Sequence, residues 1–439
     1  MPTQSDAQGS STGTSSEQIA AALLKRGEAF GREEPRRLNE ELAAYAELIQ
    51  RFGASEEPTI QKLVAVAMLN KAEARNHQET SSPYAEQLEI YNDLIHRFGE
   101  SAEPTLQESI AQAMLKKADV LGWLFMPNSL EQIAIYETLI QRFEANSERT
   151  IRECVAQAMY ERGRALRCAE SPRPVEALAS FDELIHRFWA DVEPKINLLV
   201  LQALSCKARW MRCDERPDEA IATCDEVVRY AQLNRHLDQS LDFEAEALRR
   251  KGNACVDLTP PRMNEAVALY DEVIERFGHS EDVSLLLEVS MAMLDKARVY
   301  SMFDFSAEAL VICDAIIARF GGGEDKYIFH RTKVSEAILQ KGRVLHSAFG
   351  RSEDAIALYD ELIEHSDGRW NLRNVFCALF NKGLILIELE RLDEASAAYS
   401  DLITRFNELR NRHKNFRNDE LKKIYEKAVE ISSSVSRST

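Results

Sequence analysis

An internal repeat is the feature that most limits how this 439-residue chain can fold. One motif occurs nine times, at starts that lie 40 to 46 residues apart. Its first copy, YAELIQRFG, places Tyr45, Leu48 and Ile49 at the i, i+3 and i+4 positions of a helix, which predicts one buried stripe. A period of this length indicates stacked units, because each unit needs its neighbours to bury its apolar face. The copies begin at Tyr45, Tyr91, Tyr136, Phe181, Cys224, Tyr270, Cys313, Tyr359 and Tyr399.

A second apolar motif precedes each copy and ends in a small residue, 16 to 19 residues before the copy begins. A small side chain lets two helices approach closely, so we predict an antiparallel helix pair as the repeating unit. Pro58, Pro104 and Pro194 follow acidic residues and a Ser or Asp, which predicts the start of the first helix in three pairs. The small residues are Gly27, Ala72, Ala118, Gly163, Ala208, Gly252, Ala297, Gly342 and Gly383.

The charged positions of the repeat also have structural interpretations. An acidic residue precedes the arginine of the motif by four positions in several copies, as Glu47 precedes Arg51, which predicts ion pairs on a solvated helix face. A basic residue stands directly before every small residue. We expect its long stem to cover apolar surface while its charge reaches water, in preference to binding a ligand. This basic column is Arg26, Lys71, Lys117, Arg162, Lys207, Lys251, Lys296, Lys341 and Lys382.

The spacing of the small residue, an alanine and an aromatic residue resembles a known repeat family. Gly383, Ala395 and Tyr399 stand at the spacing of the spine of the tetratricopeptide repeat. The resemblance implies an all-α fold, a right-handed α–α superhelix of about nine antiparallel helix pairs over residues 17–407. The period is near 44 residues rather than the family's usual value of about 34, which implies longer helices. In the first three copies the alanine is replaced by Glu41, Gln87 and Gln132.

The two ends of the chain differ from the repeats. Residues 1–16 and 432–439 are rich in serine and lack apolar periodicity, so we predict that both are disordered. Residues 408–431 read as an amphipathic helix that caps the last pair, since an exposed terminal repeat would be insoluble. Basic residues outnumber acids there, and contact with an acidic partner is the less favoured interpretation.

Composition restricts the location and the partners of the protein. A formal net charge of −18 repels phosphates and anionic membranes, so nucleic acid is an unlikely partner. The eight cysteines form no CxxC pair, no apolar run reaches the length of a membrane span, and the N-terminus lacks the features of a secretory signal. We therefore expect a reduced, cytoplasmic protein without a membrane segment.

Catalytic motifs are missing from the sequence. It contains no HExxH, GxSxG or dinucleotide fingerprint, and we expect no metal and no cofactor. The run Gly321 to Gly323 continues as Glu-Asp-Lys, so it is interpreted as a hinge and not as a phosphate-binding loop. Cys224 and Cys313 replace the repeat aromatic and are predicted to be inert buried side chains.

The resemblance places the first helix of each pair along a concave binding surface. The positions directly after the small residue, and one turn further on, carry arginines, which offer planar donors to a carboxylate-rich or phosphorylated segment. Pairing of these arginines with acids on the neighbouring repeat explains them equally well. The predicted groove residues are Arg164, Arg167, Arg209, Arg212, Arg298 and Arg343.

Three glutamines recur at another position that we expect to face inward. Gln112, Gln157 and Gln202 could hydrogen-bond the backbone of a bound peptide, or they could be ordinary solvated side chains. We therefore predict a non-enzymatic scaffold or adaptor that binds a protein segment, and the arginine column favours a segment of acidic character. A regulatory or sensor subunit that controls a separately encoded enzyme or toxin is the alternative. An enzyme with an unrecognised groove site and a nucleic-acid binder are weaker ones, and the oligomeric state stays open.

Overall fold

The computed structural model describes residues 15–77, 83–124, 130–169, 171–321, 328–364, 371–412 and 418–438. Within these ranges the chain forms nineteen α-helices, a three-residue 3-10 turn at Arg75–His77 and no strand, which confirms the predicted all-α class. The helices follow one another as nine pairs and one last helix.

The first helices of the pairs are α1 (Ser16–Arg32), α3 (Pro58–Ala74), α5 (Pro104–Leu124), α7 (Arg149–Cys168), α9 (Pro194–Cys213), α11 (Ser240–Asp257), α13 (Val283–Met302), α15 (Ile328–Phe349) and α17 (Leu372–Glu388). The second helices are α2 (Leu38–Phe52), α4 (Pro83–Phe98), α6 (Leu130–Phe143), α8 (Pro174–Phe188), α10 (Pro217–Leu233), α12 (Met263–Phe277), α14 (Ser306–Phe320), α16 (Ser352–Glu364) and α18 (Leu392–Arg412). The last helix is α19 (Asp419–Ser438).

The chain divides into two compact units, Met1–Ala203 and Leu204–Thr439. In the first unit each helix packs against the next, and α1, α3, α5 and α7 also contact one another in order. In the second unit α11, α13, α15, α17 and α19 do the same. The first helices of the pairs therefore form a continuous layer within each unit.

The small repeat residue lies where the two helices of a pair cross. In pair four, Arg162 of α7 contacts Glu183 of α8 at 2.7 Å, and a Cβ built on Gly163 would lie 2.6 Å from the ring of Phe181. The backbone N–H of Arg173, just before α8, donates to the carbonyl of Leu166 near the end of α7 at 2.9 Å, so the end of one helix lies beside the start of the next, as an antiparallel pair requires. A Cβ would lie 2.4 to 2.7 Å from a tyrosine ring at Gly27, Gly252, Gly342 and Gly383.

The predicted starts of three first helices are confirmed. Pro58, Pro104 and Pro194 begin α3, α5 and α9. Before α5, the Oγ of Ser101 accepts a hydrogen bond of 3.2 Å from the backbone N–H of Glu103. The polar side chain therefore stabilises the turn that leads into the helix.

Arginines of the repeated motif connect successive pairs. The Nη2 of Arg142, in α6, donates to the backbone carbonyl of Gly99, which follows α4 in the preceding pair. Arg319, in α14, donates in the same way to the carbonyl of Gly278 after α12. Each guanidinium satisfies a carbonyl at a helix C-terminus, where the helix dipole also favours a positive charge. We call these contacts the backward arginine links, and Arg187 makes another one to the carbonyl of Glu144.

Four lysines of the basic column also connect successive pairs in the second unit, a role that the sequence analysis did not assign to them. The nitrogen of each of these four lysines lies within 2.5 to 2.7 Å of an aspartate on the second helix of the preceding pair. The aspartate directly follows the first residue of the repeated motif, so the sequence contained both partners. These ion pairs are Lys251–Asp225, Lys296–Asp271, Lys341–Asp314 and Lys382–Asp360.

The C-terminal boundaries differ from the predicted ones. Helix α18 continues to Arg412, so the predicted capping helix over 408–431 begins about ten residues too early. The longer α18 is explained by Leu409, which lies past the phenylalanine that ends most second helices and packs against an apolar cluster that includes Phe406. The buried ring of Phe406 stacks on Tyr425 of α19 with centroids 4.3 Å apart. Leu421 of α19 joins the same apolar cluster, so the helix does cover the last pair.

The predicted disordered tail is also corrected, because α19 extends through residues 432–438. The Oγ of Ser433 donates to the carbonyl of Val429 at 2.8 Å, and that of Ser434 donates to Ile431 at 2.7 Å. Serine hydroxyls that bond the preceding turn are compatible with a helix.

Other sequence predictions fall partly outside the described residues. Of the predicted disordered segment 1–16, residues 1–14 lie outside them, while Ser15 caps α1 and Ser16 begins it. Of the predicted glycine hinge, Gly321 follows α14 and residues 322–323 lie outside them. Among the helices described, none has the length and apolar character needed to cross a bilayer.

Candidate partner-binding grooves

A groove of about 750 Å³ crosses first helices of the first unit. Its floor consists of leucines from α3, α5 and α9 and of Cys154 from α7. Gln112, Gln157 and Gln202 line it together, one each from α5, α7 and α9. The structure thus brings the three predicted glutamines into one surface, which we call the glutamine groove.

Two of the three amides in this groove have no partner in the described part of the chain. The Nε2 of Gln157 donates to Glu161 at 2.9 Å. Gln112 and Gln202 make no hydrogen bond to the described residues. A primary amide carries both donors and an acceptor, so it can pair with either side of a peptide bond.

The charges on the rim of the glutamine groove neutralise one another. Arg149 contacts Glu153 at 3.0 Å and Glu193 at 2.9 Å, and Lys195 contacts Glu153 at 3.1 Å. Burial raises the pKa of the Cys154 thiol to about 12, so it stays protonated and unreactive near neutral pH. The apolar floor and the amides are therefore the groups best suited to contact a ligand.

The predicted arginine column has members in both compact units. Neither arginine of the first unit lines the glutamine groove, and the Nη1 of Arg164 contacts Glu161 on its own helix at 3.0 Å. The column comprises Arg164 and Arg167 in the first unit, and Arg209, Arg212, Arg298 and Arg343 in the second.

Two arginines of the second unit are paired with acids of the next repeat, as the alternative interpretation proposed. Arg212 contacts Asp257 of α11, and Arg298 contacts Glu336 of α15 at 3.0 Å. Arg209 is exposed on α9. The charges of Arg212 and Arg298 are therefore largely neutralised by ion pairs within the protein.

A second groove, of about 310 Å³, lies on α13, α15, α17 and α19 of the second unit. Arg298, Arg343 and Arg373 line it, with Glu336 as its one acidic lining residue, and we call it the arginine groove. Arg343 donates to the side chain of Gln340 and makes no ion pair within the described residues. Of the predicted arginines, Arg343 is thus the one here whose charge remains free for a ligand.

Sequence reasoning missed Arg373, which lies near the start of α17 and contacts Glu420 of α19 at 2.7 Å. The prediction considered positions after the small residue, whereas Arg373 lies ten residues before Gly383. The length of α17 could have indicated Arg373, because residues in the N-terminal half of this helix line the same groove.

The buried repeat cysteines agree with their predicted inert role. Burial raises the pKa of Cys224 and of Cys313 to about 12, which keeps both thiols neutral. In the described portion of the chain, no group of three or more His, Cys, Asp or Glu side chains could hold a metal ion.

Comparison with known proteins finds solved structures of low sequence identity. No protein-family model and no curated protein sequence matches the chain. Among solved structures, an engineered protein shares 14% identity over 96% of this chain and 97% of its own, with a TM-score of 0.46. The apo quorum sensor NprR from B. thuringiensis shares 13% over 80% and 89%, with a TM-score of 0.44. Human IFIT1, solved as a dimer with PPP-AAAA, shares 13% over 94% and 87%, with a TM-score of 0.39. Such likenesses do not indicate which ligand this chain binds.

Proposed function

We propose that this chain is a non-enzymatic adaptor of the extended tetratricopeptide type, and that its glutamine groove holds an extended segment of a partner protein. The proposed role needs no cofactor, and we place it in the cytoplasm. One observation carries the proposal: equivalent amides on three consecutive first helices line a single groove above an apolar floor.

The chemistry of the groove supports a peptide as the ligand. A peptide backbone presents donors and acceptors at regular intervals, and amides placed at regular intervals along the groove can pair with them. The leucines of the floor supply apolar contact for the side chains of the segment. The mutual pairing of the rim charges favours a segment that binds through its backbone.

We propose the arginine groove as a second contact region, which takes acidic side chains of the same or another partner. Arg343 supports this role because its charge has no acidic partner among the described residues. A guanidinium can hold a carboxylate or a phosphate through two parallel hydrogen bonds.

Selection from a random peptide library on the full-length protein tests the proposal. The affinity of selected peptides is then measured by fluorescence anisotropy for the wild type and for the triple variant Gln112→Ala, Gln157→Ala, Gln202→Ala. Each lost hydrogen bond weakens binding by about 0.5–1.5 kcal/mol, so we expect a loss of at least roughly tenfold.

The matched control is Gln50→Ala with Gln141→Ala, because both side chains are exposed on second helices. This control should bind like the wild type. Failure to select any peptide, or equal affinity of the triple variant and the wild type, would refute the glutamine groove as the binding site. A selected acidic peptide should also lose affinity with Arg343→Gln if it contacts the arginine groove.

A further inference from the structure

A second cavity of the first unit, of about 520 Å³, lies among α3, α4 and α5. Tyr84, Gln87 and Tyr91 of α4 line it together with Asp119 of α5, and we call it the tyrosine cavity. Sequence reasoning did not single it out, and neither proposed groove requires it.

Gln87 presents an unused hydrogen-bond acceptor in this cavity. Its side chain is 1% exposed, and its Nε2 donates to the carbonyl of Ala72 at 2.9 Å and to Oδ1 of Asn76 at 2.8 Å. The bond to a backbone carbonyl fixes which end of the amide is nitrogen. The Oε1 is buried without a partner in the described chain. A buried acceptor without a hydrogen bond is unfavourable, so a donor that entered the cavity and paired with it would remove this penalty.

Asp119 adds a carboxylate without a counter-ion. Its Oδ1 accepts a hydrogen bond of 3.0 Å from the hydroxyl of Tyr136, and the described residues place no basic group in ion-pair contact with it. Lys116, the lysine of the lining, contacts Glu73 at 3.6 Å instead. The cavity therefore offers acceptors and negative charge in excess of donors.

We propose that the tyrosine cavity binds a primary ammonium group, with Asp119 as its counter-ion, Oε1 of Gln87 as an acceptor, and the rings of Tyr84 and Tyr91 as its walls. An ammonium carries three donors and no acceptor, which matches this set of groups. Aromatic faces also attract a cation. The two carboxylates of the lining, Asp119 and Glu73, disfavour an anion.

The ammonium can come from a free small amine or from a lysine side chain. Glu73 and Lys116 line both the tyrosine cavity and the glutamine groove, so the two spaces adjoin. A lysine of a segment in the glutamine groove is therefore within reach of the cavity. That second source rests on the proposed function, whereas the free amine does not.

Acid should release the ammonium. Burial raises the pKa of Asp119 to about 6, so its carboxylate is largely protonated at about pH 5. Ion pairing with a bound amine requires the ionised form, and we expect affinity to fall roughly tenfold between about pH 8 and about pH 5. The titratable groups near Asp119 are Glu73, His77, Tyr91, Lys116, Tyr136 and Glu161.

Titration with n-butylamine, which reproduces the end of a lysine side chain, tests the site without any partner. The full-length protein carries isotope-labelled tyrosine, and Tyr84→Phe assigns its resonance. We expect saturable shifts of the Tyr84 and Tyr91 resonances at about pH 8, and weak shifts at about pH 5. Butan-1-ol, which has the same length and no charge, should give no saturable shift. Equal responses to the amine and the alcohol, or no saturable response at about pH 8, would overturn the proposal.

Two variants, each of which removes one negative charge, test whether amine binding depends on Asp119. Asp119→Asn keeps an acceptor for Tyr136 and should weaken amine binding at least roughly tenfold. Asp242→Asn removes another half-buried carboxylate, in the second unit, and should leave binding unchanged. Undiminished binding by a folded Asp119→Asn variant contradicts the assignment, and the pH response of the wild type tests it without any mutation.

Two peptides distinguish whether the ammonium group comes from a free amine or from a lysine side chain of the partner. A peptide selected on the glutamine groove is compared with its lysine-to-norleucine analogue. If only the lysine peptide loses affinity with Asp119→Asn, the cavity receives a side chain of the partner. If butylamine binds and neither peptide responds, the site takes free amines, and the proposed function is judged by the glutamine variants alone.

Discussion

At the scale of single residues, the crossing within a pair depends on matched volumes. Gly342 lies against the ring of Tyr359, where a Cβ would come within 2.5 Å of the ring. In pair seven, the corresponding positions are occupied by Ala297 and Cys313, both fully buried. Cys313 is smaller than a tyrosine, so it leaves room for the methyl group of Ala297. Two other pairs combine alanine with tyrosine, so the match is a tendency and not a strict rule.

We predict that Gly342→Ala destabilises pair eight. Overpacking against a fully buried ring costs about 1–3 kcal/mol, which exceeds the gain of up to about 1 kcal/mol in helix propensity. Adding Tyr359→Cys reproduces the arrangement of pair seven and should cost less than the sum of the two single changes. Hydrogen exchange of the amides in α15 and α16 measures all three variants. Simple additivity of the two effects would show that the residues do not compete for space.

Asp242 gives a prediction for the pH dependence of the second unit. Its Oδ1 is buried without a hydrogen-bond partner in the described residues, and burial, with Asp282 and Glu288 nearby, raises its pKa to about 6. The folded protein therefore holds this proton more tightly than the unfolded chain, whose carboxyl has a pKa of about 4. The second unit should lose stability as the pH rises between these two values.

Replacement of the carboxyl should remove this loss. Asp242→Asn is expected to raise the melting temperature at neutral pH and to change it little at about pH 4. Thermal melting monitored by circular dichroism over a pH series measures this. Asp238→Asn, an exposed position before the same helix, is the control. The same gain in both variants would mean that the effect comes from net charge.

At the scale of helices, the backward arginine links explain a feature that periodicity alone does not. The sequence predicted ion pairs at i and i+4, and Arg51 does contact Glu47 at 3.0 Å. Arg142 has Thr138 at the corresponding position and bonds to the carbonyl of Gly99 instead. The same side chain of the motif therefore serves its own helix in one copy and the preceding pair in another.

We predict that Arg142→Ala loosens the stacking of pair three on pair two. A hydrogen bond from a charged group contributes about 1.5–3 kcal/mol, and the exposure of Arg142 reduces this to about 1 kcal/mol. The control is Arg51→Ala, since Arg51 pairs with Glu47 on its own helix and this ion pair is exposed. Urea unfolding of both variants provides the measurement. An equal effect of the two changes would rule out a role for the link.

The repeat predicted the helix pairs and one of the two grooves, because equivalent positions on stacked helices share a face. For this reason the three glutamines predicted to face inward do line one groove in the structure.

The tyrosine cavity was not predictable, since it depends on how the ends of three helices meet. Gln87 appeared in the sequence as a departure from the alanine of the spine. The structure explains that departure, because the Nε2 of Gln87 donates a hydrogen bond to Oδ1 of Asn76, which lies one turn beyond Ala72.

At the scale of the whole molecule, α19 ends the row of pairs by covering an apolar surface. Leu421 and Ala428 pack with Val375, Phe376 and Leu379 of α17. The sequence predicted this cover but not its position. The boundary was missed because the stripe of α18 continues beyond the length of the other second helices.

Removal of residues 418–439 should expose this surface, lower the melting temperature and cause association. Uncovered side chains of this size lose roughly 1.5–3 kcal/mol each when they face water. Size-exclusion chromatography with light scattering measures the association. Removal of residues 435–439 alone is the control and should leave the protein monodisperse if the full-length chain is. Loss of the long segment without any change in melting would contradict the covering role.

The backward arginine links and the lysine–aspartate ion pairs point the same way along the chain. Arg142 and Arg319 donate to carbonyls in the preceding pair, and Lys296 reaches an aspartate there as well. During synthesis the acceptors leave the ribosome before the donors, so the carbonyls and aspartates that a new pair contacts are already present when its cations emerge. For these two kinds of contact, each new pair can bind to pairs that have already been synthesised, and an interruption of translation would leave a shorter chain whose backward links are already made.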